Sequence, residues 1–174
     1  MPNHVLNGLR VTGKVKDIKE FLDDVADNSS KDKSEHREFS FEKIIPMPSN
    51  IFRGDVGAEA KKKYGKNNWY DWSYENWGTK WNAYDVTVTT DFPSPTIQYL
   101  DQDKGAACIL FNSAWSPPAP ILNKIVGTYT TLTFEIAFIE EGNESWGKSL
   151  YKKGVEVKNS DNKDTVKKFF KKYF

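Results

Sequence analysis

The chain has 174 residues, of which 38% are hydrophobic and 14% aromatic, and its formal net charge is +1. This length suits one domain, residues 1–174, that buries most of its apolar surface. No run of about 18 apolar residues could span a membrane, and residues 1–13 lack the basic start and apolar run of a secretion signal. The single cysteine, Cys108, excludes an intrachain disulfide and indicates a reducing compartment.

The amino-terminal part of the chain predicts a strand, a helix and a second strand. Apolar residues alternate along HVLNGLRVTG, residues 4–13, which is typical of a strand. Residues 14–27 place apolar side chains at helical spacing and acidic side chains on the opposite face, so they predict an amphipathic helix. A polar loop over residues 28–38 leads to FSFEKIIPMP, residues 39–48, which we expect to form a strand that its prolines end.

Residues 49–83 are predicted to form an insertion with a short helix around residues 58–64. Four of the six tryptophans of the chain lie in its segment WYDWSYENWGTKW. Tyr70, Tyr74, Trp77 and Trp81 recur at helical spacing within this segment. The glycine that follows Trp77 predicts that the helix ends there in a left-handed conformation.

The aromatic segment has two interpretations. Large aromatic clusters usually belong to the core, which favours a structural plug over one edge of the sheet. Tryptophan and tyrosine are also preferred anchors of protein interfaces and stack on nucleobases, which favours a partly open binding surface. We favour the plug for the rings and regard the polar residues between them as the sharper functional candidates. The candidate binding residues are Trp77, Lys80, Trp81, Asn82, Asp85 and Trp115.

The second half of the chain predicts strand, helix and strand again, followed by a hairpin. Three strands are expected, over residues 83–91, 106–115 and 131–140. One helical turn is expected near residues 97–100. Ser116 as a cap and Pro117 as the first helical residue predict a helix that Gly127 ends. The hairpin is expected to turn near Gly154.

Residues 148–174 are predicted to form a lysine-rich appendage, with nine lysines and three acidic residues and therefore a net charge of +6. Apolar residues at helical spacing predict a terminal amphipathic helix. Its basic face consists of Lys163, Lys167, Lys168, Lys171 and Lys172. A solvated lysine face is the ordinary interpretation, and a surface that follows nucleic-acid phosphates is the other.

The order of the elements predicts the fold class. Two strand–helix–strand units indicate an α+β protein, a ferredoxin-like split βαβ sandwich with helices on one face of an antiparallel sheet. The aromatic-rich insertion separates the two units, and the C-terminal amphipathic helix follows them.

The sequence lacks the motifs of several chemistries. It contains no HExxH or CxxC spacing for zinc, no phosphate-binding glycine loop and no GxSxG nucleophile turn. We therefore expect no metal, no cofactor and no enzymatic activity. An enzyme hypothesis retains only His4 as a candidate base, for a nuclease or nucleotide hydrolase.

Five motifs, within residues 1–147, resemble the YubB-type ferredoxin-like family of small phage and conjugative-plasmid proteins, a domain of unknown function. The motifs are MPNHVLNGLRVTG, FEKIIPMP, NWGTKWNAYD, FNSAWSPPAP and LTFEIAFIEEGNESWG. The chain departs from the family pattern at Ser113 and Thr130, where threonine and proline are expected. The resemblance implies a ferredoxin-like core and a mobile-element origin, and it transfers no catalytic residue.

These observations lead to two functional hypotheses of different classes. The first is a non-enzymatic phage or plasmid accessory protein that binds a host protein in the bacterial cytoplasm. Its most concrete form is an inhibitor of a defence system, such as a CRISPR nuclease complex. The alternative is a single-stranded nucleic-acid-binding module, in which the ferredoxin-like sheet stacks bases and the lysine helix supplies charge.

Overall fold

A computed structural model describes residues 3–27, 38–89 and 98–174 of the chain. The strands in this described part are β1 (His4–Lys14), β2 (Ala26–Asp27), β3 (Glu38–Phe39), β4 (Tyr84–Thr89), β5 (Gln98–Tyr99), β6 (Lys104–Ala114), β7 (Thr133–Glu140), β8 (Trp146–Lys152) and β9 (Val155–Ser160). Its helices are α1 (Val15–Val25), α2 (Phe41–Ile44), α3 (Ala58–Tyr64), α4 (Trp69–Trp77), α5 (Ala119–Thr128) and α6 (Lys163–Tyr173).

The main sheet has seven strands, in the order β4–β6–β1–β7–β8–β9, with β5 pairing to β6 beside that path. Every strand pair in it is antiparallel. The units β1–α1–β4 and β6–α5–β7 interleave, because β6 lies between β1 and β4 while β1 lies between β6 and β7. This arrangement is the split βαβ topology of ferredoxin-like domains, so the predicted fold class is confirmed. The predicted insertion, residues 49–83, lies inside the first unit, between α1 and β4, and does not separate the two units, because β4 supplies the second strand of that unit.

One face of the sheet, which we call the α1/α5 face, holds the main core. On β1, the alternating residues Val5, Leu9 and Val11 lie on this face and are at most 1% exposed. The apolar sides of α1 and α5 pack onto it through Ile18, Phe21, Leu22, Val25, Ile121, Leu122, Ile125 and Val126. Each large side chain that is fully buried stabilises the fold by about 1.5–3 kcal/mol, so this layer dominates the stability.

The opposite face, which we call the α6 face, is covered by α6 over the centre of the sheet. A Cβ atom added at Gly8 would lie 2.9 Å from the rings of Phe169, Phe170 and Phe174. Ala137, the β7 neighbour of Gly8, is fully buried beneath the same helix. Small residues at the centre of the sheet therefore make room for the aromatic side of α6, and the predicted amphipathic helix is confirmed.

The β8–β9 hairpin extends the sheet beyond β7. Its turn residues Lys153 and Gly154 have φ angles of 53° and 76°. Two positive φ angles in a two-residue loop define the type I′ turn, whose twist matches that of the strands. The hairpin predicted near Gly154 is confirmed, so most of residues 148–174 lies in β8, β9 and α6.

The strand predicted over residues 39–48 is wrong. β3 ends at Phe39, and the short helix α2 begins at Phe41. Both rings are buried, which mimics the alternation of a strand. The Phe41 N–H, however, donates to Oδ1 of Asn82 at 2.7 Å, so an amide side chain takes the place of a neighbouring strand.

The helical turn predicted near residues 97–100 is also wrong, because Gln98–Tyr99 form β5 against β6. Residue 97 and most of the predicted polar loop at residues 28–38 lie outside the described residues. Within the described ranges, the helices are too short or too polar to cross a membrane.

The predicted start of α5 needs a correction. The helix begins at Ala119 after Pro118, and Ser116 does not cap it. The Ser116 hydroxyl instead donates to the carbonyl of Gly78 at 2.6 Å. The predicted exit residue Gly127 lies inside the last turn, since the helix continues to Thr128.

Candidate protein interface

The helix of the aromatic segment, α4, anchors one end of that segment in the core. Its N-cap Asn68 accepts hydrogen bonds from the backbone N–H groups of Tyr70 and Asp71, at 3.0 and 3.1 Å. At the other end, Gly78 has φ 76° and ψ 7°, the left-handed exit expected from the sequence. A Cβ atom at Gly78 would lie 2.6 Å from Cδ of Pro120, so α4 and the start of α5 are in close contact.

Trp77 is part of the core rather than of the surface. Only 3% of the residue is exposed, and its indole N–H donates to the carbonyl of Ile45 at 2.8 Å. Phe41 and Trp72 contact its ring edge-on, with centroids 5.9 and 5.4 Å away. The burial and contacts of Trp77 therefore agree with the interpretation of the aromatic segment as a structural plug.

Asn82 also acts inside the fold. Its Oδ1 accepts hydrogen bonds from the N–H groups of Phe41 and Ala83, at 2.7 and 2.9 Å. Its Nδ2 donates to the hydroxyl of Ser40 at 2.9 Å. The Asn82 amide thus joins the start of α2 to the residues that lead into β4. This structural role explains the position of Asn82 among the aromatic residues, and no ligand is needed to explain it.

Trp81 and Trp115 remain exposed, at 38% and 48%. The loops that carry them are tied together, since Thr79 Oγ1 donates to the carbonyl of Ala114 at 2.6 Å and accepts from its N–H at 3.0 Å. Trp115 has φ 74°, a left-handed conformation that is uncommon for a bulky residue, and its N–H donates to the carbonyl of Asn3 at 2.9 Å. The fold therefore holds two large rings at the surface on fixed backbone.

Tyr84 and His4 continue this surface onto the sheet. The Tyr84 ring contacts Trp81 edge-on at 6.1 Å, and its hydroxyl lies 2.6 Å from Nδ1 of His4. Nζ of Lys80 lies 4.8 Å from the centre of the Trp81 ring, a cation–π contact. We call the residues His4, Lys80, Trp81, Tyr84 and Trp115 the aromatic patch.

The pKa of Tyr84 reflects this environment. Burial, followed by the negative charges of Asp85 and Glu141, raises the pKa of the Tyr84 phenol above its ordinary value. The phenol is therefore neutral at physiological pH and is available as a hydrogen-bond partner for His4. The described contacts of His4 join it to Tyr84 by a hydrogen bond and a ring contact.

Asp85 lies beside the aromatic patch at an irregular point of β4, where the pairing with β6 shifts register. Its φ angle is 49°, and its Oδ2 accepts from Nδ2 of Asn112 at 3.1 Å. A cavity of about 280 Å³ opens nearby on the α6 face, lined in part by His4, Leu6 and Asn112. The patch thus has an apolar centre, polar neighbours and an adjoining depression, as protein interfaces do.

The basic face of α6 lies elsewhere on the surface. Lys167, Lys168, Lys171 and Lys172 are exposed, as expected from the sequence. Lys163 is partly covered, because its Nζ donates to the carbonyl of Asn143 at 3.2 Å and lies 4.5 Å from the Trp146 ring. These lysines project from a helix that itself covers the centre of the sheet.

Sequence reasoning missed one further feature, a groove between α5 and the β8–β9 hairpin. Its polar residues Ser149, Tyr151 and Glu156 meet only through strand pairing with a register shift, which no motif marks. Among the described residues, no group of three His, Cys, Asp or Glu side chains is placed to hold a metal ion.

The topology defines a ferredoxin-like α+β domain, and the match to one family model agrees with it. Residues 96–169 match a family model described as a ferredoxin-like domain in Api92-like protein. A crystal structure of the protein api92 from Yersinia pseudotuberculosis is 15% identical with a TM-score of 0.42, and the similarity covers 55% of this chain and 30% of that chain. No curated protein matches the chain. The carboxy-terminal part of the chain is thus similar to the ferredoxin-like domain of Api92-like proteins.

Proposed function

We propose that this protein is a non-enzymatic binding protein whose aromatic patch docks onto a host protein. The observation that carries the proposal is the exposure of Trp81 and Trp115 on loops that hydrogen bonds hold together. Binding energy at protein interfaces is concentrated in such tryptophan and tyrosine anchors. Rings that are already ordered lose little conformational entropy when a partner covers them.

The biological setting of this proposal comes from the resemblance of the sequence to phage and conjugative-plasmid proteins. An accessory protein of a mobile element acts in the host bacterial cytoplasm. We propose a defence nuclease complex, such as a CRISPR effector, as its most concrete target, which makes this protein an anti-CRISPR candidate.

The test compares the wild-type protein with the double variant Trp81→Ala/Trp115→Ala. Tagged protein is used to capture partners from lysates of bacteria that carry characterised defence systems, and the affinity for each purified candidate is then measured by calorimetry. We expect the double variant to bind its target at least about 30-fold more weakly, since one interface anchor contributes about 2 kcal/mol or more.

Leu100→Ala is the matched control, because Leu100 is 52% exposed and is not part of the patch. It should leave the affinity unchanged. A phage-plating assay with an active CRISPR system then tests the finer proposal: the wild-type protein should restore plating and the double variant should not. A target that binds both proteins equally well would contradict a role for the patch.

The second candidate function is the binding of single-stranded nucleic acid. The exposed lysines of α6 favour it, because none of them forms an ion pair within the described part of the chain. The position of α6 argues against base stacking on the centre of the sheet, since Phe169, Phe170 and Phe174 cover Gly8 there. Nucleic acid would therefore be bound mainly through its phosphates.

Fluorescence polarisation with labelled single-stranded DNA and RNA tests this candidate. Wild-type binding should fall steeply between low and physiological salt, as phosphate contacts require. The triple variant Lys167→Glu/Lys168→Glu/Lys171→Glu should abolish it, while the double variant of the aromatic patch should retain it. Absence of binding at low salt would exclude this function.

A further inference from the structure

A groove with a cavity volume of about 640 Å³ lies on the α1/α5 face between α5 and the β8–β9 hairpin. Apolar side chains of β7, Ile136 and Phe138, form its floor together with Leu122 of α5. Glu156 and Asp161 line its hairpin side. We call this feature the hairpin groove, and its volume lies in the range of ligand sites in proteins.

The length of the groove fits an extended chain. Gly147 and Tyr151 of β8 both line it and lie four strand positions apart. At about 3.3 Å per residue, these positions are about 13 Å apart, which is the length of about four extended residues. The α1/α5 face thus leaves a peptide-sized space where the hairpin extends the sheet past α5.

The carboxylate of Glu156 is held in place on β9. Nδ2 of Asn159 donates a hydrogen bond to its Oε2 at 3.2 Å. Hydrogen bonding from the side chain of Ser149, and then from those of Asn159 and Tyr151, holds the pKa of Glu156 below its ordinary value, so the carboxylate is charged at neutral pH. A carboxylate has about four acceptor positions, so three donors leave room for a cation.

The hairpin separates its charges between the two faces of the sheet. Strand pairing places Lys148, Lys152 and Lys158 on the α6 face, where Nζ of Lys148 lies 2.8 Å from Oε2 of Glu135. Glu156 faces the groove. A segment that is strongly basic as a whole therefore presents a negatively charged group beside an apolar floor.

We propose that the hairpin groove binds a short extended segment of a partner protein in which one arginine or lysine lies between apolar residues. The apolar side chains of the segment pack on Ile136, Phe138 and Leu122, and the cation pairs with Glu156. Charge complementarity and length select this occupant over an acidic or a purely apolar segment. The groove is a second binding site, independent of the aromatic patch.

The probe is the peptide acetyl-Leu-Arg-Leu-Ser-amide, titrated into the ¹⁵N-labelled full chain and followed by amide chemical shifts. The same peptide with citrulline in place of arginine has nearly the same shape and no charge. We expect the arginine peptide to shift signals of β8, β9 and α5, and the citrulline peptide to bind about tenfold more weakly, as the loss of one charged hydrogen-bonded partner predicts.

The variants separate the carboxylate from general packing. Glu156→Gln should weaken the binding of the arginine peptide about tenfold and leave the affinity for the citrulline peptide unchanged. Glu59→Gln, which removes an exposed glutamate of α3, should change neither affinity. Trp81→Ala/Trp115→Ala should also change neither affinity, so failure of the patch and failure of the groove are distinguishable.

The amide spectrum of Glu156→Gln shows directly whether the hairpin still folds, and Ser149→Ala provides a second variant with the charge in place. Ser149→Ala should retain binding with a smaller loss. Three results overturn the proposal: no shifts in the groove at about 5 mM peptide, equal affinities of the arginine and citrulline peptides, or an unchanged affinity in Glu156→Gln.

Discussion

Trp77 and Trp81 lie four residues apart and have opposite environments. Trp77 is 3% exposed and its indole N–H is bonded to a backbone carbonyl, whereas Trp81 is 38% exposed beside Lys80 and Tyr84. The left-handed turn at Gly78 lies between them and ends α4, so that Trp81 is not on the buried side of that helix. One aromatic segment therefore has an inner part that stabilises the fold and an outer part that is available to a partner.

This contrast extends to the polar residues of the segment. Asn82 uses its amide for three hydrogen bonds within the fold. Asp85 is exposed, and its carboxylate accepts a hydrogen bond from the side chain of Asn112. The burial of each side chain, and not its residue type, separates structural from functional candidates.

The largest expected effect tests the inner part. Trp77→Ala should lower the free energy of unfolding by about 3–5 kcal/mol, because it opens a cavity among Phe41, Trp72 and the core. Denaturant unfolding followed by circular dichroism measures this loss. A change below about 1 kcal/mol, which is typical of a surface site, would contradict the placement of Trp77 in the core.

A smaller loss is expected for Asn82→Ala. The substitution leaves the Phe41 N–H without its acceptor, which costs about 1–3 kcal/mol for a buried donor. Asp85→Asn is the matched control on the exposed side, because asparagine also tolerates the positive φ angle of this position, and it should stay within about 0.5 kcal/mol. Equal losses for the two variants would contradict the distinction between inner and outer residues.

Substitution of the outer tryptophans should change the stability little and the fluorescence clearly. Trp81→Phe and Trp115→Phe should each change the free energy of unfolding by less than about 1 kcal/mol. Each should also remove part of the emission that iodide quenches, because the quencher reaches only exposed rings. If Trp77→Phe instead removed the emission that iodide quenches, Trp77 would be the exposed ring, which would contradict its place in the core.

The smallest expected effect concerns the alkaline titration of Tyr84. Its raised pKa means that the fold favours the neutral phenol, so the stabilisation is complete below the ordinary tyrosine pKa of 10.0 and is lost as the pH rises through the folded-state pKa. Trp81→Ala should move the ionisation back toward 10.0, since burial is the main cause of the shift. Tyr84→Phe identifies the signal in an ultraviolet titration.

Short-range sequence patterns predicted the fold well in the segments where neighbouring residues determine the local structure. The alternation in β1 and β7, the apolar stripes of α1 and α6, the left-handed exit at Gly78 and the hairpin turn near Gly154 were all confirmed. In each case the pattern reports how side chains divide between a buried and an exposed side. The order of these elements then indicated the split βαβ topology.

The errors occurred where distant residues determine the local structure. Phe39 and Phe41 alternate as in a strand, but the amide of Asn82 accepts the Phe41 N–H and a helix begins there. Ser116 has the residue type of a helix cap, but its hydroxyl donates to the carbonyl of Gly78. No local window contains either partner, since each lies about 40 residues away in sequence.

The candidate site shows the same limit. The sequence identified Trp77, Trp81 and Trp115 as candidates without separating the buried ring from the exposed ones. It also identified the basic face of α6, but not that its aromatic side covers the sheet at Gly8. No sequence motif marks the hairpin groove, because strand register alone brings Ser149 and Glu156 together.

The class of fold could be predicted from the amino-acid sequence, because hydrophobic periodicity and glycine turns act over a few residues. The burial of each aromatic ring, the hydrogen-bond partners of each amide and the access of a partner became clear only from the packed molecule. The physical reason is that burial and hydrogen-bond satisfaction depend on contacts between residues far apart in the chain, as Thr79 with Ala114 and Asn82 with Phe41 demonstrate.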